Sequence, residues 1–363
     1  MTERLERITP EMSEEEALGL ILDELMDRAE PDIAEAIRFC AITHWFNEEI
    51  IAWLRGEGRE PSQRTREILA ALTELTFVGP YHDRGYAYHE NVRDLLLRRW
   101  RQENSERFQE LSEVSAAYYV DKLEGEELSE EQRAEWQREV MYHLLVADEE
   151  QGFDLFTGMF NRARDFYQLS TCDLLLDLAE EQEGDLSPDN RLWLRFGKGQ
   201  LAHASALWDK ALEIWEALEG EDLPEGLAGT LAGDLGLLYK AKGEWDKAIE
   251  YYQRSLAIRE KVGDERGMSI TFNNLGAIYQ DKGDWDKAID YYQRSLKIER
   301  KLGDIHGVAN SCYNIGMLYC EQGKHRAAIS LFEESLTILE KVGDEYHGQL
   351  VERALEEARK VVG

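Results

Sequence analysis

From position 235 onward the chain repeats itself at an interval of 40 residues. Leu235-Gly236 becomes Leu275-Gly276 and then Ile315-Gly316. Tyr239, Tyr279 and Tyr319 align, as do Gly243, Gly283 and Gly323. Ala248, Ala288 and Ala328 follow, then Tyr252, Tyr292 and Phe332, then Leu256, Leu296 and Leu336; each copy closes on Gly-Asp at 263–264, 303–304 and 343–344. A fixed period in this range is the mark of stacked supersecondary units. Each copy reads as a helical pair. The first glycine lets a second helix approach, and the alanine is the matching small residue on that helix. The aromatics fill the space between hairpins, and the glycine at 243, 283 or 323 supports a turn that needs a positive φ. One pair leaves an apolar face that only the next pair can cover, so the units stack.

These residues resemble the tetratricopeptide repeat family, whose pattern L-G-x-x-Y…A-x-x-x-Y/F is met over at least residues 229–342. The 40-residue period is similar to the subgroup with longer second helices found in kinesin light chains and related adaptors. A degenerate earlier unit aligns at a shift of 37, with Gly199, Trp208, Ala211 and Trp215 in the places of Gly236, Trp245, Ala248 and Tyr252. Residues 346–360 fall where a terminal capping helix belongs. The resemblance implies a right-handed superhelical solenoid whose first helices line a concave groove. Carried onto this chain, the groove positions are Lys240, Asn273, Gln280, Asn310, Tyr313 and Met317, with Asn274 and Asn314 also within reach. Asn and Gln can bond both groups of an extended main chain. The same asparagines could instead tie neighbouring helices together. Trp245 and Trp285, at the start of second helices, are expected to serve as core or inter-hairpin packing rather than as ligand anchors.

Before the repeats the periodicity changes. Ser13 and Glu16 form a capping box opening a helix to about Asp27, and Pro31 suits the first turn of the next, which runs to about Ile42. A short helix is expected around 47–55 and another from Ser62 to about Thr76. Residues 76–89 then read as a short β-hairpin turning at Asp83-Arg84-Gly85, and helix resumes from Asn91 through Trp100. Helices, hairpin and closing helix make a winged-helix arrangement. Leu69 to Trp100 resembles the winged-helix segment of STAND-type signalling NTPases, where it lies between an ATPase and a repeat sensor. In that family a histidine at the hairpin's end touches the nucleotide, and Tyr88-His89-Glu90 stands at the matching place. The chain has no GxxxxGK[ST] loop, so His89 is expected to pack as a structural histidine unless a separate ATPase supplies the nucleotide. Residues 108–190 read as an acidic helical connector of non-consensus hairpins, with 123–131 and 180–188 as exposed links.

The formal charge is −32 and is uneven: 1–54 carry −10, 55–107 carry +1 and 121–190 carry −15. That balance opposes nucleic-acid binding, which needs Lys and Arg against phosphate. On the expected reading helix at 62–76, Arg64 and Arg66 are offset by Glu67 and Glu74. The acidic surface is read first as solvated, and alternatively as a docking face for a basic partner. Cys40, Cys172, Cys312 and Cys320 have no CxxC spacing and are expected to be small buried residues in a reducing cytosol. No metal, cofactor or catalytic set stands out among the eight histidines and the carboxylates. The expectation is a cytoplasmic, all-α chain. It divides into a tail (1–12), a winged-helix-like domain with one short β-hairpin (13–107), the connector (108–190), a tetratricopeptide array (191–345) and a capping helix (346–363). The function expected is a non-enzymatic adaptor or sensor holding a protein or peptide in the groove, within signalling or defence. Two alternatives stand beside it: a STAND-like regulator whose ATPase or effector is another chain, and a winged-helix DNA-binding regulator with a repeat sensor.

Overall fold

The computed structural model describes residues 8–9, 12–82, 84–125 and 128–363. Most of the expected tail, Asp83 of the hairpin turn and residues 126–127 of the first expected link lie outside the described residues. The chain divides into two compact units, 1–190 and 191–363. No helix among the described residues is long and apolar enough to cross a membrane.

The first unit opens with four helices, α1 (Glu14–Arg28), α2 (Pro31–Phe39), α3 (Glu48–Leu54) and α4 (Gln63–Thr73). Side-chain caps set the starts of α1, α3 and α4, and Pro31 in the first turn sets that of α2. Ser13 and Glu16 complete a capping box, and Asn47 and Ser62 accept from the N–H groups of Ile50 and Thr65. The hairpin follows as β1 (Val78–Tyr81) and β2 (Gly85–Tyr88), antiparallel with Val78 opposite Tyr88. Phe46 adds a bridge to it: its N–H donates to the Tyr86 carbonyl at 2.7 Å and its carbonyl accepts from the Tyr86 N–H at 2.9 Å. Gly85 lies against the Phe46 backbone, where a Cβ would collide with the carbonyl. The closing helix α5 spans Glu90–Glu103. This order of helices, hairpin and closing helix is consistent with a winged-helix-like domain. His89 caps α5 and its side chain is exposed, not packed as expected, because the cap position points it away from the core.

Four further helices complete the unit: α6 (Ser105–Gly125), α7 (Glu130–Ala147), α8 (Glu149–Asp165) and α9 (Leu169–Glu181). Phe108, Leu111 and Tyr119 of α6 share one apolar core with Ile37, Phe46 and Leu96. The link expected at 180–188 is short and mostly exposed, and two of its residues tie it to the unit. Helix α9 continues to Glu181, Gln182 and Leu186 are buried, and Arg101 holds Asp185 at 2.9 Å.

The second unit is built of helical pairs. These are α10 (Pro188–Ala204, starting at the boundary) with α11 (Trp208–Glu219), α12 (Glu225–Ala241) with α13 (Trp245–Val262), α14 (Glu265–Asp281) with α15 (Trp285–Leu302), and α16 (Ile305–Glu321) with α17 (His325–Val342). Helix α18 (Glu345–Val362) follows the last pair. Gly236, Gly276 and Gly316 are the close-approach points. What meets them is the ring of Tyr252, Tyr292 or Phe332 of the same pair, 2.6–2.8 Å from where a Cβ would stand. Those rings fill space within a pair and also share a core with the next helix, Tyr252 with Leu275, Tyr292 with Ile315 and Phe332 with Leu355, as the spacing suggested. The Gly-Asp pairs divide two tasks. Gly263, Gly303 and Gly343 end their helices in the left-handed region, and Asp264, Asp304 and Asp344 cap the next helix by accepting from Gly267, Gly307 and His347. Buried Ser255, Ser295 and Ser335 donate to first-helix carbonyls at 2.7–2.9 Å.

The turn of each repeat carries a bond from the residue after the positive-φ glycine back to the first helix, as in Glu244 N–H to the Tyr239 carbonyl at 2.9 Å. The same bond recurs at Gln168 to Ala163 and at Leu207 to Ala202, both 2.8 Å. There the positive-φ residue is Tyr167 (φ 54°) or Ala206 (φ 59°) instead of glycine. A non-glycine residue in this region costs about 1–2 kcal/mol, part of which glycine's freer unfolded chain gives back. Ala206→Gly is expected to raise stability by roughly 0.5–1 kcal/mol, seen as a higher thermal midpoint; an unchanged or lower midpoint contradicts it.

Candidate functional site

The charges of the repeat array are distributed by helix. In a chain with 32% charged residues, the stretches 226–239, 267–280 and 307–320 of α12, α14 and α16 contain a single one, Asp234. The second helices hold the charge instead, as in WDKAIEYYQRSLAIREK of α13. Residues three and four apart share one helix face. On that rule Lys240 belongs with Gly233 and Leu237, Gln280 with Asn273 and Ala277, and Met317 with Asn310 and Tyr313. The same register recurs at a shift of 40, so the first helices present one stripe. Asn274 and Asn314 lie one residue further on, about 100° round the helix, off the centre of that stripe.

The expected site residues differ in how free they are. Asn310 and Gln280 are exposed, and Gln280 accepts from the Tyr292 hydroxyl at 3.1 Å. Lys240, Asn274 and Asn314 are half-buried. Tyr313 and Met317 are half-buried against the cluster around Phe332, with the Tyr313 ring 5.9 Å from that of Phe332. Asn273 is engaged within the array. Its amide donates to buried Glu299 at 2.8 Å, Ser295 donates to the same oxygen at 2.7 Å, and Ser311 of α16 donates to the Asn273 carbonyl at 3.3 Å. Leu237 and Ile270 are exposed on the stripe, and Leu350 of α18 is exposed at the same register. None of these three was singled out by sequence reasoning, although they occupy register positions that the period itself supplies. A face of exposed aliphatic side chains, a thioether, a phenol and free amides suits a segment offering apolar side chains and main-chain groups. Trp245 and Trp285 are not core. With Trp208 they remain more than a third exposed, because the first residue of a second helix projects beside the turn.

The first unit holds a different kind of cluster. His44 follows α2, Arg93 lies on α5, Glu139, Tyr142 and His143 on α7, and Glu181 on α9. His44 Nδ1 is 3.0 Å from Glu139, and its Nε2 is 3.7 Å from Glu181. Arg93 donates to the Ala41 carbonyl at 3.1 Å, the Tyr142 hydroxyl at 2.7 Å and Glu181 at 2.9 Å. Burial would raise the Glu181 carboxyl, but the facing His44 and Arg93 hold it at about 2. Burial opposes charge on His44 too, yet the Glu139 carboxylate raises it. Burial, helped by the charges of His44 and Arg93, outweighs the nearby Glu139 carboxylate at His143 and lowers it to about 3. Among the described residues no three His, Cys, Asp or Glu side chains are grouped to hold a metal ion.

The His143 shift has a signed consequence. Its folded pKa lies below the unfolded value, so its contribution is present above about pH 6.5 and is lost as the pH falls toward 3, by up to about 1.4 kcal/mol per pH unit. The depressed Glu181 acts in a lower window, between ordinary carboxylate values and about 2. Between pH 6 and pH 4.5 urea unfolding of wild type is expected to weaken by roughly 1–2 kcal/mol more than that of His143→Leu. Parallel losses contradict the assignment.

Residues 193–261, 227–280 and 267–341 match the family model described as tetratricopeptide repeat. No curated protein matches the chain. Among solved structures, a STAND protein with a tetratricopeptide repeat sensor from Pyrococcus horikoshii superposes with a TM-score of 0.53 at 15% identity, covering 98% of this chain and 51% of that one. The chain thus spans about half the length of that protein. BtubC from P. vanneervenii gives 0.45 at 18% identity, over 66% of this chain and 92% of its own. A putative kinesin light chain with nearly identical TPR-like repeats, from Podosopora anserina, gives 0.41 at 19% identity over 52% and 95%. At 15% identity the likeness to the STAND protein is one of fold alone.

Proposed function

We propose that this chain, whose residues 193–341 are tetratricopeptide repeats, is a non-enzymatic adaptor of the cytoplasm that holds a segment of a partner protein on the first-helix stripe of its array. The observation that carries this reading is that the inner stretches 226–239, 267–280 and 307–320 of α12, α14 and α16 hold one charged residue, Asp234, in a chain of net charge −32. Ion pairs and a solvated face would keep a purely structural surface charged, as on the second helices. A stripe with one charged residue, Lys240, and with exposed Leu237, Ile270 and Asn310 lowers the desolvation cost of covering it.

The test is capture from the source cell by wild type and by Ile270→Glu with Asn310→Arg, read by mass spectrometry. Both side chains are exposed, and the structural Asn273 is left intact. A protein retained by wild type and lost at least about tenfold by the variant supports the stripe. Equal retention of every captured protein by both forms rejects it.

A second reading makes the chain the regulator of an ATPase or effector supplied by another chain. It draws on the likeness of fold to the STAND protein and on exposed His89 at the N-terminus of α5. A purified chain whose capture profile contains no NTPase would end it. The DNA-binding reading has less to stand on. Arg64 is held by Asp32, Glu30 and Glu67, Arg66 by Glu48 and Arg98 by Glu15, so these cations are already paired within the chain.

A further inference from the structure

We propose that His44 is a proton-sensitive clasp between the segment leading into α3 and helix α7, closed by the imidazolium and loosened when the ring loses its proton. Helix α7 reaches the helices and hairpin before it at two points one helical turn apart. Glu135 holds Arg84 of the hairpin turn, and Glu139 holds His44 Nδ1 at 3.0 Å. Both contacts bear on the same stretch of backbone. His44 lies two residues before Phe46, whose main chain pairs with Tyr86 of β2. It lies three before Asn47, which caps α3 and donates to the Arg84 carbonyl at 3.3 Å. One fastening is permanent, because a guanidinium keeps its charge at any ordinary pH, and the other titrates.

The geometry asks for the charged ring. Nδ1 faces Glu139 and Nε2 faces Glu181 at 3.7 Å, so each ring nitrogen points at a carboxylate. Only the imidazolium carries a hydrogen on both nitrogens; the neutral ring turns a lone pair on one of the two anions. The balance of charge agrees. Glu139 is buried, and among the described residues the basic side chains within ion-pair reach of it are histidines, His44 and, at 3.8 Å, His143. With its value near 3, His143 is neutral at pH 7. Arg93 is committed to Glu181, the Tyr142 hydroxyl and the Ala41 carbonyl. Two carboxylates and one guanidinium therefore leave a place for one more positive charge, and His44 stands in it. The other groups facing the pair do not fill that place. Burial keeps the Tyr119 and Tyr142 phenols protonated, and Arg138, next to Glu139 in sequence, departs about 100° round α7. Burial opposes a charge on His44, as does Arg93, yet the two carboxylates outweigh both and raise it. The stability it lends is complete below the ordinary histidine value of about 6.5 and is lost as the pH rises through the raised folded value.

The test uses the full chain. Followed by NMR, the His44 ring of wild type should titrate above the ordinary midpoint of about 6.5, and Glu139→Gln should weaken its hold on the proton about tenfold. Hydrogen exchange at the Phe46 and Tyr86 amides, corrected for the ordinary rise of exchange with pH, reads the clasp itself. Between pH 6 and pH 8.5 it should quicken about tenfold in wild type. In His44→Gln, which cannot take up the proton, the same amides should already exchange fast at pH 6 and change less than about twofold. The amides of α14 should not respond in either form, which separates the clasp from a general loss of stability. A wild-type midpoint at or below the ordinary value, a midpoint unmoved by Glu139→Gln, or the same pH response in wild type and His44→Gln would overturn the proposal.

Discussion

Arg93→Ala is expected to destabilise the N-terminal unit by about 2–4 kcal/mol, because a buried guanidinium loses its bonds to a carbonyl, a buried hydroxyl and a partly exposed carboxylate. Arg93 is one-tenth exposed, and three of its donors are used: Nε on the Ala41 carbonyl, one terminal nitrogen on Glu181 and the other on the Tyr142 hydroxyl. Tyr142 passes its own proton donor to Glu181 at 3.0 Å. Alanine leaves a carbonyl and a carboxylate short of donors, with only His44 and the Tyr142 hydroxyl facing Glu181. Arg93→Lys restores one charge but not the fork, so an intermediate loss is expected. The measurement is urea unfolding read by hydrogen exchange at α5 and α7. A loss under about 1 kcal/mol would mean that water replaces the guanidinium freely and that the cluster is not a buried network.

The array should respond as sharply to a single methyl-bearing side chain at its closest approach. Gly276→Val is expected to cost about 3 kcal/mol, because its Cβ would stand 2.8 Å from the Tyr292 ring before the valine methyls are added. Tyr292 is buried and cannot swing out without opening the pair. Gly226→Ala is the control. Nothing lies near its Cβ position, so it should be neutral or slightly stabilising through helix propensity. Thermal unfolding of both variants decides the matter, and a tolerated Gly276→Val would mean that α14 and α15 are held apart by something other than that ring.

Much of this architecture could be read locally. Ser13 with Glu16, the Gly-Asp closures and the turn glycines act within a few residues of themselves, so the chain announces them. The helices before the hairpin and the hairpin itself followed for the same reason. What escaped depends on distance along the chain or on a missing residue. His44 and Glu139 are 95 residues apart, and Arg93 and Glu181 are 88 apart, so no local pattern joins them. The turns at Tyr167 and Ala206 share the bonding of the glycine turns, yet lack the glycine that would have revealed them. On the site itself, the repeat located the first helices and the register of Gln280, Asn310 and Met317. It did not separate free amides from Asn273, whose fate depends on Glu299 and Ser311. Of the two readings of Trp245 and Trp285, core and inter-hairpin packing, their exposure removes the first, because a tryptophan at regular spacing reads as core unless the projection of its helix start is known.

The most direct test of the account is hydrogen exchange of the full chain with and without the protein captured by wild type. Slowed exchange in α12, α14 and α16, absent with Ile270→Glu and Asn310→Arg, is the predicted result. Slowed exchange confined to α4, the hairpin or α5, with the repeat helices unchanged, would contradict it and move the binding site to the first unit.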